Sequence, residues 1–554
     1  MKVADYIIKY LADYGVDDMF VVYGAANGDL IDAFVRTDNT RYISVMHEQG
    51  GGFAAEGWAK IKGLPSVSMA TSGPGGMNFV TPIGNFFYDS IPGIFITGQI
   101  NSRFMRPDSS IRQIGFQETD IINIVKPITK YAKLIEKPED VKYELEKALY
   151  MATEGRPGPV LLDIPLDIQK ADIDVDTLIG YDGNIKTKFD EDLINKQIDI
   201  YLEDGGVGRN FGIQNSDLLL AIGSRISGRI TGGNIHSFAR EAKKYMVDVD
   251  KAGLQRFLQQ VPFEECIYSD AKLFIEILMK RLKEVDVPEF TSWTDKVMGW
   301  KKQYDPVTRD MFKPTKYPHP YAFTRILSEE MKENDVLAAD CGGNIVVCNH
   351  AFETKTGQRY FTNNGNSPMG FSFAGGLGAA LAADKSRNVV CVIGDGGFNM
   401  NIQELQTLVN YDIPLKTIIM NNHIYGITKA FQETNFQGRA EACGPVGYNP
   451  PNFVDIIKAY NIPTMTIDNG KDYDEVRSKI REFLEYDGRI VLDFNCHEYH
   501  QYSPRVIGWE TPIEDMYPYL DEDEFKSNMF IEPLKLKNGR FYPSFVLDEQ
   551  WGDE

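Results

Sequence analysis

At 554 residues, with 43% apolar and 25% charged side chains, the chain has the make-up of an ordinary globular protein too long for one core, and a prior of about 150 residues per domain suggests three or four domains. A formal charge of −21 with no segregated block of Lys and Arg excludes a nucleic-acid partner held through a broad basic face. Six cysteines without CxxC spacing and no apolar run approaching about 18 residues exclude a disulfide framework, a zinc ribbon and a membrane span, and fit a cytoplasmic protein.

The first element is an amphipathic helix, because Val3, Tyr6, Ile7, Tyr10 and Leu11 fall on one face with charges between them, unlike a signal peptide. Residues 18–23 read as a strand, a small-residue turn at 24–28 opens a helix, and residues 42–46 form a strand that delivers His47-Glu48-Gln49. A lone glutamate there is ordinarily a solvated residue favoured by the helix dipole. Residues 66–70 are the next strand, followed by the glycine-rich turn Thr71-Ser72-Gly73-Pro74-Gly75-Gly76-Met77-Asn78. After a strand at 94–98, a polar loop with Arg103, Arg106 and Arg112 leads to Gly115-Phe116-Gln117-Glu118, and RPGPVLLDIPLDIQ gives a buried strand between two turns.

From Asp172 the composition shifts towards Asp and Gly, as in a linker. A middle region has strands at 218–223, 245–249 and 266–268, with no run of strand length between Ile173 and Asn215. Beyond a proline-marked stretch at 313–320, a strand at 335–340 ends in Cys341-Gly342-Gly343-Asn344, and Met369 stands among glycines in NNGNSPMGFSFAGGLG. The apolar run 389–393 ends at Gly394-Asp395-Gly396, and the run 417–420 ends at Asn421-Asn422. Strand, tight turn, helix, strand is the parallel βαβ pattern, which brings both polar clusters to the carboxyl ends of neighbouring strands. Asp395 and the Asn422 amide oxygen are hard donors suited to magnesium beside phosphate oxygens, and the glycines let backbone approach the phosphates.

GDG, a spacer of twenty-four residues, then NN resembles the diphosphate and metal signature of thiamine diphosphate enzymes. HEQG, AAEGWAK and TSGPG are similar to the pyrimidine-binding domain of the acetolactate synthase and pyruvate oxidase branch. The resemblance implies an α/β fold of three doubly wound parallel-sheet domains: pyrimidine-binding at 1–171, a shortened middle domain at 190–312, diphosphate- and metal-binding at 320–505, then a C-terminal tail at 506–554. It implies thiamine diphosphate and Mg2+ as cofactors, with Glu48 catalytic as the proton relay to the aminopyrimidine and Gln117 catalytic beside the substrate. Thr71, Pro74 and Asn78 join Glu48 at the pyrimidine. Gly342, Gly343, Asn344, Gly394, Asp395, Gly396, Gly397, Tyr425 and Gly426 surround the diphosphate, Met369 is the wedge that bends the cofactor, and Asp395, Asn422 and the Ile424 carbonyl form the metal shell. Flavin-using members hold FAD partly in the middle domain, so its shortening leaves FAD open; Arg225 and Arg229 either meet a nucleotide phosphate or are solvated.

The implied activity is decarboxylation of pyruvate or a similar 2-oxo acid and transfer of the two-carbon acyl-anion equivalent to a carbonyl acceptor, a second 2-oxo acid or a keto sugar. Phe431 stands where acetolactate synthases generally carry a tryptophan, and the tail resembles that of acetolactate synthase-like enzymes found with lipopolysaccharide and capsule sugar enzymes. The alternatives are a simple 2-oxo acid decarboxylase and a non-catalytic regulatory relative. Active sites between subunits of a homodimer or homotetramer are implied, with Glu48 meeting Asp395 across an interface. Lys130 matches an entrance position or is a surface lysine, and His497, His500 and Trp509 either cap the site or are structural.

Overall fold

A computed structural model describes residues 1–183, 189, 210–286, 289–497, 506, 508 and 510–534, apart from the side chains at 229, 258 and 259, and shows three parallel sheets. The first contains β1 (Asp18–Val21), β2 (Arg41–Ser44), β3 (Ser66–Ala70), β4 (Gly93–Gln99), β5 (Tyr131–Leu134) and β6 (Pro159–Pro165) in the order β2-β1-β3-β4-β6-β5. Helices cover both faces of such sheets, so interior strands read as unbroken apolar runs; every residue of β3, β4 and β6 is buried. The middle sheet has β7 (Leu218–Ile222), β8 (Lys243–Asp248) and β9 (Glu265–Tyr268) in that order. The third has β10 (Val336–Ala339), β11 (Arg359–Phe361), β12 (Val389–Gly394), β13 (Leu415–Asn421), β14 (Thr464–Ile467) and β15 (Ile490–Asn495), ordered β11-β10-β12-β13-β15-β14. The doubly wound α/β expectation therefore holds.

The first and third sheets are wound identically, strand for strand. In each, a long helix follows the edge strand reached second in the chain: Glu48–Lys62 after β2 and Phe371–Ala382 after β11. These two helices cross at glycines. A Cβ on Gly57 would fall on the Gly375 carbonyl oxygen, and one on Gly378 would fall on the Ala54 carbonyl oxygen. The two contacts mirror each other, so a local twofold axis passes between the helices. It makes Glu48 and Met369 equivalent, each nine residues before its crossing glycine, Gly57 or Gly378.

The N-terminus is stitched to the end of the first sheet's unit: the Met1 ammonium donates to the Ile173 carbonyl and Lys2 bridges to Asp172. At the other end of the chain, segment 510–534 lies on the middle unit. Trp300 Nε1 donates to Asn528 Oδ1 at 2.7 Å, Glu514 pairs with Arg240 and accepts from Gln214, and Phe211, Trp300, Met516, Leu520 and Phe525 share one apolar cluster. The described part of the tail is thus structural; His500 and Trp509 lie outside the described residues. Arg225 lies against the Gly365 loop, its Nη1 3.2 Å from where a Gly365 Cβ would stand, and the Arg229 side chain is outside the described residues. Among the described residues no helix is long and apolar enough to cross a membrane.

Candidate active site

The first cluster is built at the carboxyl ends of three adjacent strands. Helices Gly343–Ala351, Asp395–Met400 and Gly426–Asn435 begin just beyond β10, β12 and β13. Helix N-termini present unpaired N–H groups and a positive dipole end, which favours anions. Gly342 has φ +75°, a left-handed conformation suited to glycine. Asn344 donates to the Cys341 carbonyl through Nδ2 at 2.6 Å, while its buried Oδ1 has no hydrogen-bond partner. Gly394 faces it, with 3.4 Å between a Cβ there and Asn344 Nδ2.

Asp395 is buried; Oδ1 accepts from the Gly396 amide at 2.9 Å, and the Tyr448 hydroxyl and the His423 amide also favour its charge. Burial pushes its carboxyl up to about 7. Asn422 and Ile424 are buried beyond the end of β13, and the Tyr425 ring stacks on Tyr448 at 3.9 Å. A Cβ on Gly396 would strike the Tyr425 ring and stand 3.1 Å from Met369 Cε. Met369, Gly396 and Tyr425 therefore converge. Behind them Asp340 accepts from the Gly370 and Ser372 amides at 3.0 and 2.9 Å, fixing the turn after Met369, and a Gly397 Cβ would press on its Oδ2. Burial raises the Asp340 carboxyl to about 6, against the pull of these amides.

The second cluster gathers around Glu48, the first residue of its helix and 8% exposed. Glu48 Oε2 accepts from Asn78 Nδ2 at 2.9 Å, and Oε1 lies 3.2 Å from a Gly75 Cβ position. Pro74 opens the short helix Pro74–Met77 from Gly73, φ +63°. Thr71 turns away to the 24–27 turn, accepting from the Ala26 amide at 3.3 Å. Gln117, at φ +62°, sets its carbonyl 2.9 Å from where a Gly73 Cβ would be, so its loop lies on the Gly-rich turn beside Glu48. Glu118 ties that loop, accepting from the amides of Arg106, Ile114 and Gly115 at 2.6, 2.8 and 3.3 Å. Burial opposes its charge, but the amides prevail and hold the carboxyl below its ordinary range. Lys130 is half-buried: its ammonium donates to the Glu154 carbonyl at 2.5 Å, and burial lowers it to about 8.

Sequence reasoning missed Asp340, Glu118 and Tyr448. For Asp340 a signal existed, a carboxylate closing an apolar strand directly before Cys341-Gly342-Gly343.

An α/β sheet carrying an anion cradle, with the buried Asp395 carboxylate and the partnerless amide oxygen of Asn344 inside it, defines a phosphate-cofactor enzyme. Residues 1–124 match the family described as thiamine pyrophosphate enzyme, N-terminal TPP binding domain, and residues 340–494 match its C-terminal TPP binding domain. The chain is 30% identical to a probable acetolactate synthase large subunit of Methanocaldococcus jannaschii over 89% of its own length and 91% of that protein. It is 28% identical to the acetolactate synthase large subunit of Corynebacterium glutamicum, covering 95% and 92%, and 28% identical to acetolactate synthase 2, chloroplastic, of Nicotiana tabacum, covering 89% and 82%. The chain belongs to the thiamine diphosphate-dependent enzymes, in their acetolactate synthase-like branch.

The residues fit that cofactor. Among the described residues no cluster of three or more His, Cys, Asp or Glu side chains stands ready for a metal; a cation at Asp395 would have to draw its remaining ligands from amide, carbonyl and phosphate oxygens, the ligands that suit magnesium.

Proposed function

We propose that the protein decarboxylates pyruvate or a similar 2-oxo acid and transfers the two-carbon acyl-anion equivalent to a carbonyl acceptor, a second 2-oxo acid or a keto sugar. The observation that carries this is the buried Asp395 carboxylate beside the unpartnered Asn344 Oδ1, where three helix N-termini meet. Thiamine diphosphate, when bound, supplies the carbanion that adds to the keto carbon and the electron sink for loss of carbon dioxide.

The chain's own residues do the rest. Asp395, Asn422 and the Ile424 carbonyl would hold Mg2+, with Gly342, Gly343, Asn344, Gly394, Gly397 and Gly426 offering backbone or amide contacts to the diphosphate. Met369 would bend the cofactor against Tyr425. Asn78 holds Glu48 Oε2, so Oε1 is the atom that takes or returns a proton at the pyrimidine ring. Gln117 lies beside the substrate. Phe431, 61% exposed one turn after Ile427 on the helix Gly426–Asn435, offers the acceptor an apolar wall.

We also infer that two chains complete each site. Glu48 and Met369 lead two different helices from their crossing, and large apolar side chains stand exposed on both domains, Tyr23 and Phe116 on one, Phe431 and Val446 on the other, as a surface awaiting cover does.

The test supplies thiamine diphosphate, magnesium and labelled pyruvate, with and without a second 2-oxo acid or a keto sugar, and follows carbon dioxide and products. The parent should release carbon dioxide, and Glu48→Gln should release it at a small but measurable fraction of the parental rate. Equal turnover by the two, or no carbon dioxide from any 2-oxo acid, would overturn the reading.

A further inference from the structure

Glu404 is fully buried and belongs to the third domain, nine residues after Asp395. Its carboxylate nevertheless serves the first. Oε1 accepts from the amides of Met46 and His47 at 3.2 and 3.1 Å, and Oε2 accepts from Met46 at 3.2 Å and from the Thr407 hydroxyl at 2.6 Å. Nearby, Tyr411 accepts through its hydroxyl from the Ser44 amide at 2.6 Å. Three amides at the end of β2 and in the loop leading to the Glu48 helix are thus held by side chains of the other domain. His47 is that helix's N-cap and Glu48 its first residue. Gly50 completes the fit, because a Cβ there would come within 2.6 Å of Glu404 Oε1.

We propose that Glu404 is a positioning residue for Glu48: from the diphosphate domain it fixes the backbone that aims the Glu48 carboxylate. The same device runs in the opposite direction. Asp89 of the first domain accepts from the amides of Asn364 and Gly365 at 2.9 and 2.7 Å, and Glu56 accepts from Asn363 at 3.0 Å, in the loop that leads to Met369. Each domain therefore sets the other's active loop. Burial raises the Glu404 carboxyl to about 7, so the four hydrogen bonds it accepts are made in a site that resists its charge. A carboxylate kept under such strain is worth its place only if the loop it holds must be exact.

The inference rests on Glu48 being the proton relay, and the experiment separates the two. In the full-length protein with thiamine diphosphate and magnesium, Glu404→Gln and Glu404→Ala are made alone and in the Glu48→Gln background, and kcat, KM for pyruvate, cofactor affinity and hydrogen exchange at the Met46 and His47 amides are measured. With Glu48 present, both variants should lower kcat by about ten- to a hundredfold, the scale of a small misplacement of a reacting group, with KM and cofactor affinity changed by less than about threefold and exchange at the two amides accelerated. With Glu48→Gln the further loss should vanish, because residues acting through one another are not additive. Losses that multiply in that background, or a kcat unchanged from the parent, would overturn the proposal. If the alanine variant does not fold, the nearly isosteric Glu404→Gln carries the same comparison. If Glu48→Gln alone is as fast as the parent, it is the relay reading that falls, and Glu404 with it; if Glu48→Gln is slow and the Glu404 variants are fast, only the positioning role falls.

Discussion

Asp395 sets a buried negative charge beside a place made for another anion, and its raised value, about 7, records the conflict. In cofactor-free protein its deprotonation works against folding: the cost is absent below the ordinary value of 3.8, grows as pH rises, and is complete above about 7. A cation removes that cost, so protons and magnesium compete for the same oxygens. Magnesium titrated against thiamine diphosphate-dependent thermal stabilisation should show affinity about tenfold weaker at about pH 6 than at about pH 8, one pKa unit being a factor of ten. Asp395→Asn should flatten that dependence and bind the cation weakly at either pH. Asp395 and Asn422 were legible in the sequence because they stand directly after apolar strands, where topology alone fixes their place. Asp340 also directly follows an apolar strand and was legible by the same rule, though overlooked; Glu118 and Glu404 were not, because each caps backbone amides, and nothing in a carboxylate's local sequence tells which amides those are; those of Glu404 lie more than 350 residues away.

At the scale of elements, the crossing of Glu48–Lys62 with Phe371–Ala382 depends on glycine at two points. Helix propensity favours alanine over glycine by about 1 kcal/mol, so Gly57→Ala or Gly378→Ala would stabilise an isolated helix. Here each methyl group meets a backbone carbonyl that cannot rotate aside. Chemical denaturation should show a net loss of about 2–3 kcal/mol for either change, the scale of overpacking. The Glu56–Lys60 pair on the same helix, at 2.7 Å with both side chains largely buried, also receives Asn85 and Asn363. Removing only the lysine charge, as in Lys60→Met, should cost about 3–5 kcal/mol because it strands a buried carboxylate. The interior strands were legible as apolar runs, but β5, β11 and β14 were missed. All three are edge strands, the last two of only three and four residues, and one-sided burial leaves too short a pattern to read.

For the whole molecule, a site shared between chains predicts complementation. Glu48→Gln and Asp395→Ala should each retain only a few per cent of activity or less alone, but mixed and allowed to exchange they should regain up to about a quarter of parental activity, since half the random dimers are mixed and each has one intact site. No recovery after proven exchange would mean that each chain builds its own site. Last, segment 510–534 supplies Glu514, Met516, Leu520, Phe525 and Asn528 to a cluster whose other members, Phe211, Gln214, Arg240 and Trp300, precede it by more than two hundred residues. During synthesis from the N-terminus, the middle unit must wait with Trp300 and Phe211 uncovered until the diphosphate domain has emerged and the closing segment follows. The central part of the chain is thus finished last, and a released chain truncated before residue 510 should hold the first and third domains protease-resistant while the middle one is cut.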